Sequence, residues 1–97
     1  MAKGYWLTFY RSVSNPAALS EYAKMATPAI QAHGGRFVAR GVPVKVYESG
    51  LSQRTVVIEF DSVERSIACY ESREYQAAVK LLEGACERDL RMLEGTS

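Results

Sequence analysis

The sequence has no apolar run near the roughly 20 residues a membrane-spanning helix needs. Its charged, glycine-containing start has none of the marks of a secretory signal. A basic block is missing too: twelve Lys and Arg against eleven Asp and Glu are dispersed over 97 residues, for a formal net charge of +1. Nucleic acid and anionic membranes call for clustered cations, so neither is expected as a partner, and the cytoplasm is the expected location. The two cysteines, Cys69 and Cys86, lack any CxxC or Cys/His spacing, which favours free thiols over a disulfide, a metal site or a nucleophile. A lone histidine, His33, cannot by itself build a catalytic zinc centre. One axial histidine would suffice for haem, but no other feature supports it. Glycine-rich phosphate loops, GxSxG elbows, HExxH pairs and EF-hand loops are missing. The expectation is therefore no metal and no cofactor.

What is present is a composition 47% hydrophobic and 24% charged, suited to one globular domain over residues 1–97. Residues 4–10 (GYWLTFY) are apolar or aromatic on both alternations, as in a strand covered on both faces. Asn15 caps a helix with Pro16 at its first position. Leu19, Tyr22, Ala26, Ile30 and His33 follow at helical spacing to Gly34, a natural left-handed stop. Pro28 is expected to kink or split that helix. Residues 35–40 alternate, with Phe37 and Ala39 opposite Arg36, Val38 and Arg40. Gly41 and Pro43 interrupt, and 44–48 resumes, which reads as one edge strand bent by a bulge. A hairpin loop over 48–54 leads to a second central strand, 55–60. Asp61 and Glu64 form a capping box for the next helix. Ser72 caps another, whose stripe Tyr75, Ala78, Val79 and Leu82 ends at Gly84. Residues 88–93 make a last edge strand.

The order β-α-β-β-α-β is the ferredoxin-like split βαβ unit, an α+β fold with a four-stranded antiparallel sheet and its first and third strands central. Two helices cover one face of such a sheet and leave the other bare. That bare face exposes either Tyr5, Leu7 and Phe9 or Trp6, Thr8 and Tyr10. Exposed apolar patches of this size mark interfaces, and a second copy packed sheet to sheet with two-fold symmetry is the simplest cover. A homodimer is the expected assembly.

Four stretches, KGYW (3–6), HGGRFVARG (33–41), VVIEFDS (56–62) and CYESREYQ (69–76), resemble the small bacterial domain-of-unknown-function 1330 proteins over nearly the whole chain. The resemblance implies the dimeric α+β barrel superfamily. Its members include cofactor-free monooxygenases, muconolactone-type isomerases and haem-handling enzymes, an analogy at the level of fold. Tyr70 stands where the family often has tryptophan.

Glu59 is the most conspicuous single residue. A carboxylate on a strand face that must be covered is costly unless paired, and its pKa tends to rise. It reads either as a general base in a pocket between sheet and partner or as the ion-pair partner of Arg40 or another arginine. His33 reads as a helix cap or as a proton shuttle. Tyr75 belongs first to the core stripe, while Tyr70 suits a ligand cleft with its apolar body and polar tip. Trp6 lines either that cleft or the dimer seam. Two function classes stay open. One is a cofactor-free small-molecule enzyme, of oxygenase or isomerase type, acting on an aromatic or acidic metabolite: Glu59 with His33 moves a proton, and Arg40, Tyr70, Tyr75 and Trp6 bind substrate. The alternative is a non-catalytic ligand-binding or structural homodimer. RNA binding is disfavoured, because the third strand lacks a stacking aromatic platform and the chain lacks a basic face.

Overall fold

In the computed structural model, which describes residues 2–96, alternation along the first strand decides which side of the sheet is covered. Strand β1 (Gly4–Val13) buries Trp6, Thr8 and Tyr10 and leaves Tyr5, Leu7 and Phe9 partly exposed. Helix α1 (Pro16–Ala32) follows, then β2 (Arg36–Gly41), β3 (Thr55–Phe60), α2 (Val63–Tyr70), α3 (Arg73–Val79) and β4 (Cys86–Glu94), with a short 3-10 turn, Lys80–Leu82, after α3. The strands form one antiparallel sheet in the order β2-β3-β1-β4, so the two most apolar runs are central. This is the ferredoxin-like fold. All three helices pack on the face that carries Trp6, Tyr10, Val56, Ile58 and Phe60, supplying Ala26, Ile30, Cys69, Tyr75 and Ala78 to the core. No helix among the described residues is long and apolar enough to cross a membrane.

Local chemistry explains most boundaries and several departures from expectation. Asn15 accepts from the Ala18 N–H at the start of α1, and Ser72 accepts from the Tyr75 N–H at the start of α3. Helix α2 is capped by Ser62, which accepts from Arg65 N–H at 3.2 Å, and not by Asp61. The Asp61 carboxylate lies instead beside Lys3 and Arg36, so the expected capping box with Glu64 is not made. Helix α1 runs unbroken through Pro28. Pro28 and Lys24 both sit on the exposed side, where water can satisfy the Lys24 carbonyl that proline leaves without a donor. Gly34 takes the left-handed conformation, φ +86°. Gly4 meets a different need: a Cβ there would lie 2.4 Å from the backbone carbonyl of Ser62, so only glycine lets β1 pass against the start of α2.

The largest correction concerns β2. The bulge falls between Phe37 and Ala39, not at Gly41 and Pro43. Residues 44–48 form no strand, and Val44 and Tyr47 are exposed, because β3 is already paired along its length by residues 36–41. The extra residue, Val38, turns the alternation over. Arg40 therefore shares the covered side with Phe37, and its guanidinium lies 4.3 Å from the centre of that ring.

Candidate functional site

Between the covered face of the sheet and α1 lies a cavity of about 290 Å3. Trp6, Thr8 and Tyr10 from β1 form part of its floor, Tyr22 and other small or apolar side chains of α1 form its roof, and Phe37 closes one side. Three arginines, Arg40, Arg54 and Arg88, reach its wall, and no acidic side chain does. Among the described residues none of the three takes part in an ion pair. Aromatic rings and hydroxyls hold Arg40 and Arg88 instead. The Arg88 guanidinium sits 5.7 Å from the Tyr10 ring centre and 5.3 Å from that of Tyr22, within cation–π range. It donates to the Tyr22 hydroxyl at 3.2 Å and to the Tyr75 hydroxyl at 3.3 Å, and those two hydroxyls are 2.6 Å apart. Burial raises the pKa of both Tyr10 and Tyr75, so these phenols stay protonated. An arginine fork has five N–H donors, and two here are engaged by the Tyr22 and Tyr75 hydroxyls.

The residues singled out from sequence are distributed over four places. Trp6 and Arg40 meet at the cavity. Tyr70 and Tyr75 stand beside Trp6, with ring centres 5.7 and 4.8 Å from the indole, and Tyr75 is fully buried. They form an aromatic cluster next to the cavity, and the Tyr75 hydroxyl is bonded to Arg88 and Tyr22, which line it. His33 ends α1, where its Nδ1 donates to the Ala29 carbonyl at 2.9 Å. Glu59 lies on the opposite, open face of the sheet from the cavity. Its cross-strand neighbours are Tyr5 and Arg36. Arg36 donates to one carboxylate oxygen at 2.7 and 3.1 Å, and the Tyr5 hydroxyl donates to the other at 2.8 Å. The partner is thus Arg36, not Arg40. Hydrogen bonds from Arg36 and then Tyr5 hold the Glu59 pKa below its ordinary value, where burial had been expected to raise it.

That pairing has a consequence for acid stability. A carboxyl whose folded pKa lies below its unfolded value of about 4.5 adds stability above that pH and loses it as the pH falls through the folded value. Glu59→Gln is therefore expected to flatten the fall of Tm with pH below about 4.5. Thermal melts across acid buffers check this, and equal slopes for both proteins would show that the carboxylate is not held as described.

Arg88, Tyr22 and Arg54 escaped the sequence reading of the site. Arg88 had a signal: it stands in phase with Leu90 and Met92 along β4, which puts it on the covered side opposite Tyr10. Cys69 is buried, and burial pushes its thiol up to about 11, which leaves no reactive thiolate at neutral pH.

A sequence model of the family described as "Domain of unknown function (DUF1330)" matches residues 3–96. No curated protein matches the chain. Among solved structures, a protein of unknown function from Rhodopseudomonas palustris is 17% identical, with a TM-score of 0.77 over 99% of this chain and 84% of its own. A dimeric protein of unknown function with a ferredoxin-like fold from Bacteroides fragilis is 13% identical, with a TM-score of 0.64 over 95% of each chain. SnoaB, a cofactor-independent oxygenase from Streptomyces nogalater, is 9% identical, with a TM-score of 0.68 over 100% of this chain and 96% of its own. Likeness at these identities is likeness of fold.

Proposed function

The chain belongs to the DUF1330 family, whose description names no activity, and from the geometry of the cavity we propose that it binds a small organic anion with a flat apolar body. One observation carries this: three arginines line an aromatic-walled cavity to which none of the described residues brings a carboxylate. Unpaired guanidinium groups in a partly dry site attract a carboxylate, phenolate or enolate, which fits their donor fork. Trp6, Tyr10 and Phe37 supply the surface for the ligand's apolar part. Glu59 has no part in this binding, since it sits on the other face of the sheet with both oxygens occupied. Isothermal titration with benzoate and 1-naphthoate is expected to give saturable, one-site binding that weakens as salt is raised. Absence of heat and of any Tm shift with both compounds at millimolar concentration would overturn the proposal.

The second element of the proposal is a homodimer through the open face of the sheet. Leu7, Phe9, Val57 and Leu93 lie there, with Phe9 37% and Leu93 58% exposed, and two-fold pairing would cover them. The solved structures of like fold include two described as dimeric. Sedimentation at micromolar concentration is expected to show twice the monomer mass, and Val57→Arg to halve it. A wild-type monomer would refute the assembly.

A further inference from the structure

The three arginines are not one cluster. Strand register puts them on opposite flanks of β1. Tyr10 pairs with Arg88 of β4 on one side, and its N–H donates to the carbonyl of Arg54, just before β3, on the other. Arg40 lies one strand further out, opposite Val56. With three strand spacings of about 4.8 Å and a stagger of two residues along the strands, the backbones of Arg88 and Arg40 stand roughly 16 Å from each other. Both side chains line the one cavity, so a small flat molecule bearing a group at each end can lie between them. The two flanks also differ in surroundings. Arg88 is partly buried beneath the Tyr22 and Tyr75 hydroxyls, whereas Arg40 is exposed, stacked on Phe37 at the mouth.

Resting on the anion-binding proposal above, we infer that the ligand is a dicarboxylate: a rigid, flat molecule with one carboxylate on Arg88 and the second on Arg40 and Arg54. The inner carboxylate meets a guanidinium already fixed by two phenols, which gives it a defined orientation. The outer one meets two arginines at the entrance and sets the length of molecule that fits. The apolar middle rests over Tyr10 and Thr8, the part of the floor that lies between the two flanks.

Terephthalate and 4-methylbenzoate share a ring and nearly a shape, and differ in whether the far end is a carboxylate or a methyl group. Titration of the full chain is expected to show terephthalate binding about tenfold or more tighter, the scale of one added charge-assisted contact. In the double variant Arg40→Met, Arg54→Met the ratio of the two affinities is expected to fall to about one, whatever loss the two compounds share. Equal affinities in the wild type would overturn the dicarboxylate inference and leave the monoanion site standing. A terephthalate advantage that survives the double variant would also overturn it, since the second carboxylate would then be held elsewhere. If neither compound binds, the anion-binding proposal fails and this inference fails with it.

Discussion

Replacing Trp6 with alanine is expected to cost about 3–5 kcal/mol, the range for deleting a large aromatic from a packed core. Trp6 is 1% exposed in the middle of the central strand β1. Its ring is stacked on Phe60 with centres 6.1 Å apart and meets Tyr75 edge-on at 4.8 Å. The indole Nε1 also donates to the Thr8 hydroxyl at 2.8 Å, and Thr8 is itself buried, so truncation leaves a buried hydroxyl without its donor. Against a total stability of about 5–15 kcal/mol, the loss is a large share. At roughly 4–8 °C per kcal/mol for a domain of this size, Tm is expected to fall on the order of 20 °C. Trp6→Phe keeps an aromatic ring and loses only the donor and part of the volume, and its loss is expected to be well under half as large. Thermal and urea melts of the two variants measure this. A Trp6→Ala protein melting within a few degrees of wild type would show that the indole is not the centre of the core.

Arg88→Met is expected to have the opposite profile, a large effect on binding and little on folding. A hydrogen bond to a charged group contributes about 1.5–3 kcal/mol, so benzoate affinity is expected to fall about 10-fold to 150-fold. Stability is expected to hold or rise. The guanidinium is partly withdrawn from water without a carboxylate, and an apolar side chain of similar length removes that desolvation cost. The Tyr22 and Tyr75 hydroxyls keep each other as partners at 2.6 Å, so the substitution strands neither of them. Titration and thermal melts on the same preparations separate the two effects. A marked fall in Tm with unchanged benzoate binding would make Arg88 a structural pin of β4 instead of the anion holder.

The two variants differ because the two residues were differently legible. Trp6 stands in a nearly continuous apolar run, and such a run declares a central strand from the residues alone. Its side of the sheet was not declared, because both alternations of GYWLTFY are apolar. The helices settled that by packing over Trp6, Thr8 and Tyr10. Glu59 was conspicuous in sequence for being acidic within an apolar strand. The fold gives that contrast a local cause, since Arg36 and Tyr5 are its direct cross-strand neighbours on the open face. Arg40 drew attention for its charge, yet its side of the sheet was misjudged by one residue. A single bulge at Val38 reverses the alternation, and a bulge leaves little trace in a short run of mixed polarity.

By itself the sequence determined what local physics can encode. Period-two and period-3.6 patterns, two of the three helix caps and the left-handed Gly34 determine the element order, and the order determines a ferredoxin-like sheet with β1 and β3 inside it. The apolar content of both faces of β1 also carried the expectation of a second copy. Only the tertiary structure decided where a ligand fits. Arg88, Tyr22 and Tyr75 meet across separations of 66 and 53 residues, and that meeting depends on strand register, on one bulge and on the path of α1 over the sheet. Those are properties of the packed chain. Residues far apart in sequence become a site only when the long-range pairing that positions them has formed, and no local pattern records where their side chains will converge.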